Sequence, residues 1–183
     1  MRLGRSAPTL TSAQWAKADR IQGWFDRDEA ELLFGLTRGP WCEVGCWKGR
    51  STTVLAETGF PGWAVDWFKG SPEHPPGTDT YPEFMENLRG YGLVRVLPVR
   101  FEDAVPYVGA VNLLHLDAEH SFDATERAFR LFEAKVDIGG HVVFHDACGG
   151  RWPDVEDFVV SLRRSRRWQA AAERGRLKAF RRR

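Results

Sequence analysis

The 183-residue chain predicts an α/β protein, a mostly parallel sheet with helices on both faces. Three observations predict it. Short apolar runs alternate with stretches of helical periodicity along most of the chain. One run, Trp41-Cys42-Glu43-Val44, meets a turn built on Gly45 and Gly49 and then a helix starting near Ser51. Finally, strand candidates end in acids or in this turn, at Glu43/Gly45, Asp66, Asp117 and Asp146. In open α/β sheets ligands bind outside the carboxyl ends of the strands, so these residues should converge.

Taken in order, Thr11 or Ser12 caps a first helix from Ala13 to Arg20. The stretch Ile21-Gln22-Gly23-Trp24-Phe25 breaks it, with the aromatic pair expected in the core. Asp26 or Asp28 opens a second helix that carries Leu32, Leu33 and Leu36 and stops before Gly39-Pro40. Residues 1–38 thus form a helical lead-in. In the glycine loop that follows, residues without a Cβ let the backbone turn sharply and approach a ligand. The helix beyond points free N–H groups and a partial positive charge at whatever lies on the loop. The spacing is E-x-G-x-x-x-G-x-S, not the G-x-G-x-x-G of dinucleotide sites, and a plain strand-to-helix turn can also hold two glycines. Gly62 to Asp66 is the next strand. Its acid lies about 20 residues past the turn, where a carboxylate can bond the hydroxyls of an adenosine ribose.

Residues 67–92 are rich in Pro, Gly and aromatics, and Pro72, Pro75 and Pro76 exclude regular structure there. So long a connection suggests a lid or substrate wall, with Trp67, Phe68, Tyr81 and Phe84 facing an acceptor. A helix from Pro82 to about Arg89 follows, then a strand from Val94 to Pro98 and a short helix opening at Phe101-Glu102-Asp103. Asn112 to Asp117 is the fourth strand. Asp123 to Val136 is an amphipathic helix, with Ala128, Leu131, Phe132 and Val136 on one face and Gly139-Gly140 as its end. His141 to Asp146 is the fifth strand, and Asp154 to Arg163 is helical. Strands at Arg167–Ala171 and Leu177–Phe180, joined through Arg174-Gly175, make an antiparallel finish.

The totals fit one soluble domain over residues 1–183. No apolar run approaches the roughly 18 residues of a membrane span. MRLGRSAPTL lacks the apolar core of a signal peptide. With three cysteines, an odd number, this predicts reduced thiols and a cytoplasmic location. Cys42 and Cys46 do not have zinc spacing. Residues 163–183 hold ten Lys/Arg and a single acid, Glu173, so the rest of the chain is net acidic. Such a tail can touch nucleic acid. Interleaved as it is with Trp168, Leu177 and Phe180, it is better read as the solvated face of an edge strand.

The segments EVGCWKGRST, AVDW, LLHLDAEHSFD and GGHVVFHDA together resemble class I S-adenosylmethionine-dependent methyltransferases. Among these they are most similar to small bacterial O-methyltransferases related to the macrocin and catechol types. The resemblance covers about residues 21–181. It implies a Rossmann-like seven-stranded sheet, mostly parallel, with the last strand antiparallel beside the fifth. By this likeness Glu43, Gly45, Gly49 and Ser51 hold the methionine end of S-adenosyl-L-methionine. Asp66 takes the ribose, Glu102 lies near adenine, and Asp117 stands between cofactor and reacting centre.

The implied acceptor is a small hydroxylated molecule, and the reaction needs a base. Catechol-type relatives carry a Lys three residues after the strand-four acid. Three from Asp117 stands His120, the leading base, whose unperturbed pKa near ~6.5 suits proton transfer at neutral pH. Glu119 is second. A histidine here could instead cap or pack on the helix near Asp123. Metal-using relatives take ligands at the positions of Asp117, Asp146 and a following Asn or Asp, where this chain has Ala147. The metal set is then Asp117, Asp146 and His145, and nitrogen from His145 or His120 would favour a transition metal over Mg²⁺. Without a metal, Asp146 would position the acceptor hydroxyl. A homodimer fits the family. Two other functions stay open: an inactive S-adenosylmethionine-binding or scaffold protein, and a nucleic-acid methyltransferase using the basic tail. The N/D-P-P-Y signature of many base modifiers is not in the sequence.

Overall fold

The computed structural model describes residues 9–183. The reading of the extreme N-terminus as no signal peptide falls largely on residues 1–8, outside the described residues.

Helix α1 (Ser12–Asp19) is capped by Thr11 and α2 (Arg27–Leu36) by Asp26, each in a capping box that satisfies N–H groups in both directions. Strand β1 (Trp41–Val44) leads through the glycine loop into α3 (Arg50–Ala56). Then come β2 (Gly62–Val65), α4 (Tyr81–Asn87), β3 (Val94–Leu97) and α5 (Phe101–Ala104). The chain finishes with β4 (Val111–Leu116), α6 (Phe122–Phe132), β5 (Val136–Phe144), α7 (Pro153–Leu162), β6 (Trp168–Arg174) and β7 (Leu177–Arg182).

The strands form one seven-stranded sheet in the order β3-β2-β1-β4-β5-β7-β6. Pairing is parallel from β3 through β5, and β7 lies antiparallel between β5 and β6. The order reverses between β1 and β4, and at such a switch point the loops diverge and leave a crevice. Alternation along the strands feeds two cores. Leu114, Val142 and Phe144 join Phe129, Phe132 and Phe158 on one face. Leu113 and Val143 join Leu33, Phe34, Val54 and Leu55 on the other. Gly62 has no side chain because its β1 neighbour Trp41 fills the space; a Cβ would stand 2.1 Å from the indole.

Two expectations are corrected. The helix expected to reach Val136 stops at Phe132, and Val136 begins β5. Gly139-Gly140 lies inside that strand instead of ending the helix. Val111 pairs with Val136 but Leu113 with His141, so β5 bulges there. Gly139 has φ +84°, and a Cβ on Gly140 would lie 2.5 Å from the Asn112 carbonyl. The glycines therefore serve a bulge, which a helix-end pattern resembles. The second correction concerns the aromatics after β2. Phe68 and Phe84 are fully buried in a third small core, and Tyr81 packs on Phe68 at 5.2 Å. Of the expected acceptor wall, Trp67 alone reaches the crevice.

Much of the basic C-terminal segment is engaged within the fold. Arg167 bonds Glu133 at 3.0 Å, Arg174 reaches Glu31 at 3.4 Å, and Arg182 bonds the carbonyls of Glu133 and Ala134. No helix among the described residues is long and apolar enough to cross a membrane.

Candidate active site

A cavity of about 550 Å³ opens at the switch point, over the carboxyl ends of β1, β2, β4 and β5. Its floor is the glycine loop. Gly45 has φ +88°, and a Cβ there would stand 1.9 Å from the Asp117 carbonyl oxygen, so the end of β4 demands glycine. Gly49 (φ +93°) caps α3, but its missing side chain faces Leu88 and Phe84, away from the cavity. Between them Trp47 sits at φ 49°, a left-handed backbone that side chains other than glycine seldom adopt. Its ring stacks on His74 at 4.4 Å and meets Trp24 at 5.9 Å.

Asp66 fixes the loop. Its Oδ2 accepts the N–H groups of Cys46 and Trp47 at 2.7 and 2.9 Å, and Oδ1 accepts that of Phe68 at 2.6 Å. Burial nevertheless outweighs these bonds and pushes its carboxyl above the usual range. Glu43 lies below the floor and does not line the cavity. It is fully buried, accepts the Thr52 hydroxyl, and faces His115 Nδ1 at 2.9 Å, its register partner on β4.

The lead-in folds over the cavity because Arg50, from α3, reaches back to it. The guanidinium bonds the carbonyls of Phe25 at 2.6 Å and Ile21 at 2.8 Å, and the Asp19 carboxylate at 2.7 Å. This clamp brings Trp24 and Phe25 to the rim. Trp24 is 54% exposed, against the expectation that both aromatics are core, while Phe25 is buried.

Acids and imidazoles gather at the other end. Asp117 follows β4, and Asp146, also left-handed at φ 51°, follows β5. His145 Nδ1 lies 3.2 Å from Asp117 and 3.1 Å from Asp146, and its Nε2 lies 3.4 Å from Glu29. Glu29, fully buried on α2, also accepts the Arg176 N–H at 2.8 Å. Arg176 in turn bonds Asp146 Oδ1 at 3.1 Å. His120 stacks on Trp152 at 4.3 Å, with Nδ1 3.2 Å from Glu73 and Nε2 3.2 Å from Asp146 and 3.8 Å from Asp117.

Charge follows from this geometry. Burial alone would lower the pKa of His120, but the facing carboxylates of Asp117, Asp146 and Glu73 push it up to about 10. Burial would likewise lower that of His145, yet Asp117, Asp146 and Glu29 raise it well above the ordinary value. Burial would raise the Asp117 carboxyl, but the His145 charge and the two facing imidazoles, His120 and His145, hold it well below the usual range. The acids therefore hold both site imidazoles toward their charged form in the free protein.

Of the residues singled out by sequence, Gly45, Ser51, Asp66, Glu102, Asp117, Glu119, His120, His145 and Asp146 line the cavity. Glu43 and Gly49 do not. The donors of Asp117, His120 and Asp146 lie within 4.8 Å of one another, a set that could hold a cation. The imidazole of that set is His120, and His145 Nδ1 also faces Asp117 and Asp146 at 3.2 and 3.1 Å. Sequence reasoning missed Glu29, Glu73, Trp152 and Arg176. Glu29 was disguised as the acid of a capping box, and Arg176 as one cation in a basic tail.

A family model described as a methyltransferase domain matches residues 42–147, more than half of the chain. The chain belongs to this methyltransferase family. It is a methyltransferase, and the matched region spans the glycine loop, Asp66, Asp117, His120 and Asp146. Solved structures share the fold. The O-methyltransferase NovP is 20% identical, with 84% of this chain and 78% of that one covered at a TM-score of 0.68. The S-adenosylhomocysteine-bound Podospora anserina methyltransferase PaMTH1 is 14% identical, with 96% and 88% covered at 0.69. An rRNA methylase from Streptococcus thermophilus is 14% identical, with 87% and 99% covered at 0.61. The same sheet thus serves acceptors of different classes, and the methyltransferase's acceptor must be argued from its site.

Proposed function

We propose that the methyltransferase transfers the methyl group of S-adenosylmethionine to a hydroxyl of a small molecule, with the acceptor oxygen seated among Asp117, His120 and Asp146. The observation that carries this reading is the convergence of those three residues at the cavity end beyond the glycine loop. Gly45, Ser51 and Asp66 would hold the methionine and ribose portions, and Trp67 and Glu102 would border the adenine. Glu43 would act from below by fixing Thr52 and His115.

In the reaction the acceptor oxygen attacks the sulfonium methyl group, the sulfur–carbon bond breaks, and S-adenosylhomocysteine and one proton are released. Alignment of donor and acceptor is worth about 7–11 kcal/mol of barrier in favourable systems. The released proton needs an acceptor. His120 is charged in the free protein, so it serves as base only once that charge is displaced; Asp146 and Asp117 are the carboxylates beside it. Two oxygens and one nitrogen at this spacing fit a divalent cation with some affinity for imidazole. When bound, such an ion would lower the pKa of a coordinated hydroxyl and take over the charge that His120 carries. Glu119 accepts the Ser121 hydroxyl at 3.1 Å near the start of α6 and is the lesser candidate.

The test combines S-adenosylmethionine carrying a deuterated methyl group with a panel of catechols, phenols and sugars, with and without Mg²⁺, Mn²⁺ and Zn²⁺. The expected product carries the label on oxygen, and His120→Ala lowers turnover by about 10²–10⁴-fold, the usual worth of a positioned acid–base group. S-adenosylhomocysteine should still bind that variant. Label on nitrogen, or turnover unchanged by His120→Ala, overturns the reading. Cofactor binding without transfer to any acceptor supports a scaffold instead.

A further inference from the structure

The loop between β2 and α4 spans the cavity, and its tip touches both walls. At its base the Thr80 N–H donates to the Phe68 carbonyl at 3.0 Å, and Lys69 pairs with Asp79 at 2.6 Å. Gly70 (φ +78°) and Gly77 (φ +84°) bend the chain on either side of the tip. On one side His74 stacks on Trp47. On the other, Glu73 grips His120 twice, taking its backbone N–H on Oε1 at 3.1 Å and facing its Nδ1 with Oε2 at 3.2 Å. Ser71 holds this carboxylate by donating to Oε2 at 2.6 Å.

The consequence concerns which nitrogen of His120 is turned toward the reacting end of the cavity. An ionised carboxylate can only accept, so the Nδ1 facing Glu73 must carry a hydrogen. Trp152 covers the ring face. What remains is Nε2, shielded from solvent, without a well-formed hydrogen bond, and directed between Asp146 and Asp117. A carboxylate on one imidazole nitrogen with the working atom on the other is the arrangement that fixes tautomer and ring orientation in acid–base and metal-binding histidines.

We infer that Glu73 is a positioning residue: with the loop closed it holds His120 through Nδ1 and presents Nε2 to the acceptor oxygen, so that competence for transfer depends on closure over the cofactor. This rests on the proposed role of His120. It adds a residue that no strand end supplies, and it ties the order of the loop to the chemistry beneath it.

Nitrogen-15-edited NMR of the histidine side chains, in the complex with S-adenosylhomocysteine, tests the inference without needing the acceptor. The wild type should show a slowly exchanging His120 Nδ1–H. Glu73→Ala should lose it and Glu73→Gln should keep it in part through the amide oxygen, with every protein compared at saturating S-adenosylhomocysteine. Glu73 is on a surface loop, so neither variant should disturb the fold, and the backbone spectrum outside residues 67–80 and 117–123 reports that directly. A wild-type Nδ1–H that Glu73→Ala does not affect, or its absence from the wild type, overturns the inference. If the resonance behaves as expected while methyl transfer survives His120→Ala, the contact is only a loop tether. The inference then falls with the role it rests on, and the NMR result shows which of the two failed.

Discussion

At the residue scale, the clearest consequence of the site is a histidine that is charged where histidines are ordinarily neutral. His120 has a folded pKa of about 10 against an ordinary 6.5, so between those values the folded state holds a proton that the unfolded state has lost. Its contribution to stability is fully present below pH 6.5 and disappears as the pH rises through about 10. Asp146 acts in the opposite sense: its lowered pKa stabilises above the ordinary carboxyl range and is lost on acidification. The melting temperature of EDTA-treated protein should therefore fall from pH 6.5 to 10 more steeply than that of His120→Ala. Parallel curves would mean that the imidazole is not held by these acids. Saturating Mn²⁺ or Zn²⁺ should flatten the wild-type slope if ion and proton compete for the same place. Gly45 supplies a second test. A methyl group there would stand 1.9 Å from a backbone carbonyl, with φ held at +88°, and no side-chain movement relieves a backbone clash. Gly45→Ala should cost at least about 1–3 kcal/mol, the usual toll of overpacking, and should abolish S-adenosylhomocysteine binding in calorimetry.

At the element scale, the turn between β6 and β7 does more than reverse the chain. Gly175 has φ +57°, and a Cβ would approach Glu29 to 2.7 Å, so the turn presses on α2. That contact brings Arg176 between the buried Glu29 and Asp146. Removing one partner of a buried ion pair leaves a charge without compensation and costs about 3–5 kcal/mol. Glu29→Ala should show a loss of that size in urea unfolding, whereas Glu31→Ala, two residues further along α2 and 33% exposed, should cost less than about 1 kcal/mol. Equal losses would deny Glu29 its place in the network. The two elements that meet here lie at opposite ends of the sequence. Capping and turn chemistry made each legible in outline, through Asp26 and through Arg174-Gly175, but neither signal says what the element touches. The long helix after β4 failed for a related reason: Gly139-Gly140 signals a break in a helix or a bulge in a strand alike, and the choice is made by pairing with Asn112 and Leu113 on β4.

At the scale of the whole molecule, the strand-end half of the site was readable and the other half was not. Parallel strands must all present their carboxyl ends at one edge, so Gly45, Asp66, Asp117 and Asp146 converge by topology alone. Trp24, Glu29, Glu73 and Arg176 come from a lead-in, a loop and a hairpin whose places depend on tertiary contacts such as Arg50 on Phe25 and Glu73 on His120. The cavity is therefore assembled from three peripheral pieces laid over a sheet edge, and a ligand that fills it must bind them together. S-adenosylhomocysteine at about 100 times its dissociation constant should stabilise the fold by about 2.7 kcal/mol, or roughly 5–10 °C in melting temperature for a chain of this size. Hydrogen exchange should slow not only in residues 44–51 but also in 22–29, 70–77 and 174–176, because opening any of these pieces would uncover the ligand. His120→Ala should keep the thermal shift while losing part of the protection at 70–77, where Glu73 no longer finds its partner. Protection confined to the glycine loop would mean that the peripheral pieces close over the cavity independently of the cofactor, and coupling between loop closure and methyl transfer would have no basis.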